Sequence, residues 1–377
     1  MSTPLALFYR LRVELVRILI LNWRDIRSGR AGGAEVLTHE IARRLATRHQ
    51  VTWFTSWQDG LPAREEIDGI RIVRRGSELT TRVAAPAFAR SARWDVIVEE
   101  INTLPYLSHL WAASSTILFI PQLARDVWWY EAPRTLAPIG YALERFYLAL
   151  YRAQNVITIS RSTCEDLRAL GFRGTIHLIP MAVSPPALGE LPVKEPTGRI
   201  VTVGRLVPSK RVDHVIRAFD EIRTLFPAAT LTVIGDGPTR PELAQLADAL
   251  SLGSAIRFTG RVSETAKRQL LEAADLLVAG SVREGWGLTT TEAARLGTPA
   301  VVYDVPGLRD SVIHERTGLL TAPNPQSLAD AAVRVLSDSA LYESLREQAW
   351  RTWRDLSWDS TASAFERALP RASVSAP

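Results

Sequence analysis

Short apolar runs such as Val51-Thr-Trp-Phe-Thr-Ser56 and Ile200-Val-Thr-Val-Gly204 alternate along the chain with longer amphipathic stretches. Runs that are apolar on both faces fit strands of a parallel sheet, and the amphipathic stretches fit the helices that cross between them. In the first half the pattern predicts strands over 16–22, 51–56, 70–73, 95–99, 116–120, 156–160 and 175–179, with helices over 33–46, 138–152 and 162–170. Residues 183–198 interrupt it, because Pro185, Pro186, Pro192 and Pro196 with Gly189 support neither period. After this linker strands resume at 200–204, 230–234, 256–259, 275–279, 299–304 and 318–320. The expected organisation is therefore two doubly wound α/β domains, 1–182 and 199–352, joined by 183–198. A C-terminal segment, 353–377, is expected to pack back on the first domain through an amphipathic stretch at 360–369. Such sheets bind ligands beyond the C-terminal ends of their strands, which places the expected site in a cleft between the two domains.

The length of 377 residues, with 46% hydrophobic and 23% charged residues, agrees with a folded chain of more than one core. The apolar stretch from Leu5 to Trp23 is broken by Arg10, Arg12, Glu14 and Arg17, whereas a membrane span needs about 20 nearly uncharged residues. It also lacks the small-residue cleavage site of a secretory signal. Leu7, Leu11 and Leu15, with Arg10, Arg12 and Arg17 around them, sketch a short basic amphipathic stretch. It reads either as a packed N-terminal extension or as a peripheral contact with the cytoplasmic face of a membrane. One cysteine, Cys164, rules out an intramolecular disulfide and cysteine-held zinc, and fits a cytoplasmic location. The net charge of +5 is scattered along the chain, so no nucleic-acid partner is expected. Nearly all the cations are arginine; the lysines are Lys194, Lys210 and Lys267 alone.

The segment Glu284-Gly-Trp-Gly-Leu-Thr-Thr-Thr-Glu292 lies after an apolar strand and leads into a helix predicted near 288–296. A helix start carries unsatisfied amides and partial positive charge, which suits an anion. Glu284 falls in the loop ahead of it and Glu292 in its first turns, so two carboxylates can reach different parts of one extended ligand. A second strand end, Val203-Gly-Arg-Leu-Val-Pro-Ser-Lys-Arg-Val-Asp213, offers Arg205 and Lys210, a fork and a compact ammonium suited to two phosphates. Val233-Ile-Gly-Asp-Gly-Pro238 reads equally as a tight βα turn and as a close approach of Gly235 to a ligand. Ser28-Gly-Arg-Ala-Gly-Gly-Ala-Glu35 is glycine-rich but is not G-x-G-x-x-G, and no acidic residue ends the next strand, which argues against a dehydrogenase.

Glu284 and Glu292 match the E-x7-E pattern, and with the Arg205–Lys210 segment the chain resembles the retaining glycosyltransferases of family four. The resemblance implies the GT-B fold, two Rossmann-like domains facing each other across a cleft. It also implies transfer of a hexosyl group from a nucleotide-diphosphate sugar, UDP- or GDP-linked, to a hydroxyl of a sugar, lipid-linked or small-molecule acceptor. By resemblance Glu284, Arg205 and Lys210 are catalytic. Donor contacts fall to Gly32, Gly33, Gly235, Arg261, Val262, Gly285, Trp286, Gly287, Leu288, Thr289 and Glu292, with Glu292 on the ribose hydroxyls. Neither a metal nor another cofactor is expected, since cations of the protein face the diphosphate. Where many relatives have a histidine touching the sugar, this chain has Pro121, leaving Gln122, Arg125 or Asp126 as substitutes. Trp128 and Trp129 read either as an acceptor platform or as helix packing. The alternatives are a sugar-nucleotide epimerase on the same fold and a nucleotide-sugar-binding protein without catalysis.

Overall fold

The sheets are built from strands whose apolar residues are buried on both faces. In the computed structural model, which describes residues 15–184 and 187–370, the strands fall at or within a few residues of nearly every predicted position. Leu7, Arg10, Leu11 and Arg12, and Pro185 with Pro186 of the linker, lie outside the described residues. Backbone packing groups the chain into two units. One gathers Met1–Glu100, Tyr106–Ile117 and Glu366–Pro377; the other gathers Ile101–Pro105 and Leu118–Phe365.

In the first unit β1 (Arg17–Leu21) pairs in parallel with β2 (Gln50–Thr55). Two strands follow, β3 (Arg64–Ile67) and β4 (Ile70–Arg74), and β4 lies parallel to β2. On its other side β1 pairs with β5 (Val96–Glu100). The strand β3 was not expected. Its residues, Arg64-Glu-Glu-Ile67, alternate between exposed and half-buried, and it returns antiparallel along β4 as an edge strand. Charge on an edge blocks further pairing but hides the strand from a pattern search keyed to apolar runs. The helix Gly33–Leu45 crosses from β1 to β2 and buries Leu37, Ile41 and Leu45.

In the second unit Leu118 and Phe119, the last residues of β6 (Ser115–Phe119), pair with β7 (Val156–Thr158), itself parallel to β8 (Ile176–Leu178). It continues into a six-stranded, wholly parallel sheet. The strands are β9 (Arg199–Val203), β10 (Thr230–Ile234), β11 (Ile256–Gly260), β12 (Leu276–Ala279), β13 (Ala300–Tyr303) and β14 (Gly318–Thr321). Their order is β11-β10-β9-β12-β13-β14. The helices Val212–Leu225 and Pro325–Ser337 pack in one core cluster with Val215, Phe219, Leu328 and Ala332. Leu271, Ala293 and Leu296 belong to a second cluster with Val201 and Leu277 of the sheet.

The linker is tied to this sheet. Lys194 Nζ donates to the carbonyls of Glu272, at 2.9 Å, and Ala274. Thr197 and Arg199 both donate to the buried carboxylate of Asp275. Burial pushes the Lys194 ammonium down to about 8. The helix Trp358–Ala368 places Thr361 Oγ1 against the Pro180 carbonyl at 2.9 Å and Phe365 edge-on to Phe119. Among the described residues no helix is long and apolar enough to cross a membrane.

Strand order in the six-stranded sheet fixes where a ligand can enter. From β9 the chain winds outward through β10 and β11, and from β12 it winds the other way through β13 and β14. The loops after β9 and β12 therefore diverge to opposite faces and leave a crevice between them. Around β9 the loops are clasped backbone to backbone, with Gly204 N donating to Ile234 O, Leu206 N to Asp236 O and Gly235 N to Gly260 O. Gly235 has φ +131°, and a Cβ there would lie 1.9 Å from the Gly204 carbonyl oxygen. The glycine at 235 is thus required by the protein's own packing. Gly235→Ala is expected to destabilise the chain by at least ~2 kcal/mol. Denaturant unfolding would check this, and an unchanged midpoint would contradict it.

Candidate active site

At the switch point the loop from β9 supplies Lys210 and the loop from β12 supplies Glu284. The turn Pro208–Lys210 ends at Arg211, which takes a left-handed conformation (φ +49°) before the helix Val212–Leu225 begins. This break in the chain points the loop, rather than the helix, toward the crevice. Lys210 Nζ forms an ion pair with Glu284 Oε1, which also accepts from Ser281 Oγ at 2.6 Å. Both partners are about a quarter exposed or less, so the pair sits in a partly dry setting that solvent can still reach. Glu284 N donates to Pro306 O at 2.9 Å, and a Cβ on Gly307 would come within 2.2 Å of the Glu284 carbonyl oxygen. The backbone of Glu284 is fixed from below while its side chain is held by two donors.

Three residues on, Gly287 caps the helix Leu288–Arg295 with φ +90°. The left-handed turn there favours glycine, and a Cβ would also meet Ser311 Oγ at 2.6 Å. Thr290 Oγ1 donates to the Gly287 carbonyl at 2.6 Å and lies 2.7 Å from Ser311 Oγ, which pins this turn. The opening amides of a helix, here those of Leu288 and Thr289, have no partner within it. Gly285 lies close to the loop after β6, since its Cβ would be 3.0 Å from the Pro121 carbonyl oxygen and 3.4 Å from Gln122 Cβ. Trp286 points elsewhere: its Nε1 donates to Thr291 Oγ1 and its ring meets Trp353 edge-on. Its indole therefore packs against the protein, and its backbone is the part nearest the turn.

Glu292 is buried on the same helix and takes an ion pair from Lys267 on the helix Glu264–Ala273, with both carboxylate oxygens 3.1–3.2 Å from Nζ. Burial pushes the Glu292 carboxyl up to about 7 against the pull of Lys267, while Glu292 and Glu264 hold the Lys267 ammonium charged. Lys267 was not among the expected site residues. Its signal in the sequence was its rarity, and the three lysines of the chain prove to be Lys210 and Lys267 on the two motif glutamates and Lys194 on the linker.

Arg205 follows β9 directly and is exposed, with no ion pair among the described residues. The structure brings Lys210 to Glu284 but leaves the Arg205 guanidinium in solvent. Gly235 lies in the clasped turns described above. Arg261 is exposed, while Val262 packs against the core cluster beneath Ala293 and Leu277.

The run 121–131 is built around Glu144, whose buried carboxylate accepts from Ala124 N and Arg125 N at 2.7 Å each. This clamp holds Arg125 at φ +41°, an uncommon conformation for a residue with a side chain. Asp126 lies 3.6 Å from Arg283, whose guanidinium is nearly buried and also pairs with Asp166 at 2.6 Å. Glu131 accepts from Ser209 Oγ at 2.5 Å, next to Lys210. Gln122 is half-buried beside Gly285. Trp128 packs over Gly140, where a Cβ would come within 2.4 Å of its ring, while Trp129 is half exposed with its ring near Tyr141. Ser281, Arg283, Glu131 and Glu144 were all missed in the sequence, where a lone polar residue in a loop gives no distance to its partner.

In the first unit Gly32 caps the helix Gly33–Leu45 and donates its N–H to Glu35 Oε2 at 2.7 Å. Glu35 is fully buried and pairs with Arg24 at 3.0 Å. A Cβ on Gly32 would meet nothing closer than Glu35 Oε2 at 3.7 Å, so the protein itself does not demand glycine there. The loops after β1, β2 and β4 enclose a cavity of about 790 Å³, lined among others by Trp23, Arg24, Trp57, Arg74 and Arg75. None of the expected site residues lines it. Arg74 is committed to Asp25 at 2.7 Å in a fully buried pair, which keeps its guanidinium charged.

Residues 31–185 match the model of Glycosyltransferase Family 4, and residues 188–352 match that of the glycosyl transferases group 1. An uncharacterized glycosyltransferase of Methanocaldococcus jannaschii is 30% identical over 233 residues, covering 57% of this chain and 60% of that protein. The chain spans 60% or less of the length of this and the other curated relatives compared. Among solved structures, the sucrose-phosphate synthase from Thermosynechococcus elongatus superposes with a TM-score of 0.77 at 22% identity, over 93% of this chain and 97% of that one. HepE of Anabaena in complex with UDP-glucose superposes with a TM-score of 0.70 at 19% identity, over 94% and 98%. These likenesses give the chain the GT-B fold, with two parallel α/β sheets.

Lys267→Met is expected to raise the Glu292 carboxyl above about 7, because burial then acts without the opposing ammonium. Carbon-13 titration of the glutamate carboxyls would read the shift, and an unmoved Glu292 would show that Lys267 does not act on it.

Proposed function

The chain belongs to family four of the glycosyltransferases, and from that premise we propose that it moves a hexosyl group from a nucleotide-diphosphate sugar to a hydroxyl acceptor with retention of configuration. The observation that carries the reading is the meeting of Lys210, Glu284 and the Gly287 helix start at the β9–β12 switch point. An anion placed there faces an ammonium and the opening amides of a helix together. A diphosphate fits that set better than a single phosphate, because Arg205 follows β9 with its guanidinium unpaired and can take the second group.

Transfer breaks the bond between the sugar's anomeric carbon and the distal phosphate oxygen, forms the bond from that carbon to the acceptor oxygen, and passes the acceptor hydroxyl's proton to the departing diphosphate. Negative charge grows on the diphosphate as the first bond breaks. Lys210, Arg205 and the amides of Leu288 and Thr289 are the groups we assign to that charge; Lys210 and the amides are held in place before the bond breaks. Glu284 accepts hydrogen bonds from the donor sugar, with Ser281 Oγ at 2.6 Å holding its carboxylate in register. Glu292 accepts from the ribose hydroxyls, and Lys267 favours the ionised form that makes two such bonds. The diphosphate is neutralised by the protein's own cations, so no metal is assigned to the reaction. Uridine diphosphate donors are the first to test, guanosine diphosphate donors the second. The structurally similar Anabaena protein was solved with UDP-glucose.

A panel of nucleotide sugars, with release of nucleoside diphosphate followed in the presence and absence of a hydroxyl acceptor, tests this reading. One donor should turn over in an acceptor-dependent way and continue to do so in excess EDTA. Glu284→Gln should lower that turnover by at least ~100-fold while the free nucleoside diphosphate still binds within a few-fold of the unaltered chain. Full activity in this variant, or turnover abolished by EDTA, would overturn the assignment.

A further inference from the structure

The helix Ala137–Ala149 turns one face inward with Ala137, Gly140, Glu144, Tyr147 and Leu148. Its other face carries Ile139, Leu143 and Phe146, continued by the flanking Leu136 and Leu150, all exposed, with Ile139 at 61% and Phe146 at 68%. Their spacing of three and four residues sets them along a single stripe. A helix facing water normally presents polar residues there, and a contiguous apolar stripe marks an interaction surface. Trp129, half exposed, stands beside it through its contact with Tyr141 of the same helix.

Charge around the stripe identifies what covers it. Between Glu131 and Glu165 the only acidic residue is Glu144. Its carboxylate is buried and bonded to the amides of Ala124 and Arg125, so it contributes no acidic group to the outer face. The same stretch carries Arg134, Arg145, Arg152 and Arg161, all exposed, of which Arg152 donates its Nε to the Leu170 carbonyl at 2.7 Å. The neighbouring Glu131, the one carboxylate at this end of the stretch, is exposed and accepts from Ser209, and Arg125 lies over the ring of Tyr141. The face thus combines large apolar side chains and an indole with a cationic rim. Burying the apolar residues while the rim meets anionic headgroups is the pattern of a helix lying in a membrane interface. Pairing with a second copy of the same face would bring the arginines of its helix against one another.

We propose that the face of the helix Ala137–Ala149 bearing Ile139, Leu143 and Phe146 docks the protein peripherally on an anionic lipid surface. This contact involves different residues from the N-terminal stretch at Leu7–Leu15. It is independent of the transfer reaction, and its test does not read turnover.

The full chain is sedimented with sucrose-loaded vesicles of phosphatidylcholine, with and without phosphatidylglycerol, at low and high salt. Binding is expected on the mixed vesicles, weakening with salt and with removal of the anionic lipid. The double substitution Leu143→Gln and Phe146→Gln should lower it by about tenfold or more, and Arg145→Gln should reduce the preference for anionic lipid. All substituted residues are exposed, and thermal unfolding would verify that each variant remains folded. Absence of binding to mixed vesicles at low salt, or equal binding by the double variant, would overturn the proposal. So would a concentration-dependent dimer in sedimentation velocity that Phe146→Gln dissociates, since the face would then belong to a second copy.

Discussion

Two charges of opposite sign, Lys210 and Glu284, meet beside the amide-bearing start of a helix, and the loops of the six-stranded sheet are arranged around that meeting. The pair stands where neighbouring strands β9 and β12 send the chain to opposite faces, so the crevice belongs to the topology before any side chain is considered. The pair's consequence is positional: each group holds the other at the crevice.

Backbone, more than side chains, holds this geometry. The Glu284 amide is anchored on Pro306, Gly307 leaves no room for a Cβ beneath it, and Gly287 turns left-handed to open the helix. Around β9 the Gly204, Gly235 and Gly260 turns exchange main-chain hydrogen bonds in the same fashion. Rigid turns of this kind cost little reorganisation when a ligand arrives, which is what stabilisation of a developing charge requires. The loop after β6 is made differently. It depends on one buried carboxylate, Glu144, that satisfies two successive amides and holds Arg125 in a strained conformation.

Much of the framework was legible in the sequence because parallel strands are buried on both faces and read as continuous apolar runs, and the strand Thr230–Ile234 appears as expected, residue for residue. The edge strand Arg64–Ile67 was not legible, since its charges carry no apolar run, and the helix Thr81–Ala89 was masked by Pro86 in its interior. The glutamate pair and the rare lysines were visible as motifs. The specific match of Lys267 to Glu292 was not, because 25 residues separate them and their adjacency depends on how two helices pack. Gly235 also changed meaning: in the sequence it served a ligand or a turn equally well, and the Gly204 carbonyl beneath it supplies a sufficient reason within the protein.

The claim that the Lys210 side of the crevice grips a diphosphate is tested most directly by calorimetric titration of the best-binding nucleoside diphosphate and its parent nucleoside into the unaltered chain and into Lys210→Met. The account predicts that the substitution weakens the diphosphate by at least about tenfold and leaves the nucleoside nearly unchanged, so that the advantage of the phosphates shrinks. Equal losses for both ligands, or no loss for either, would contradict it.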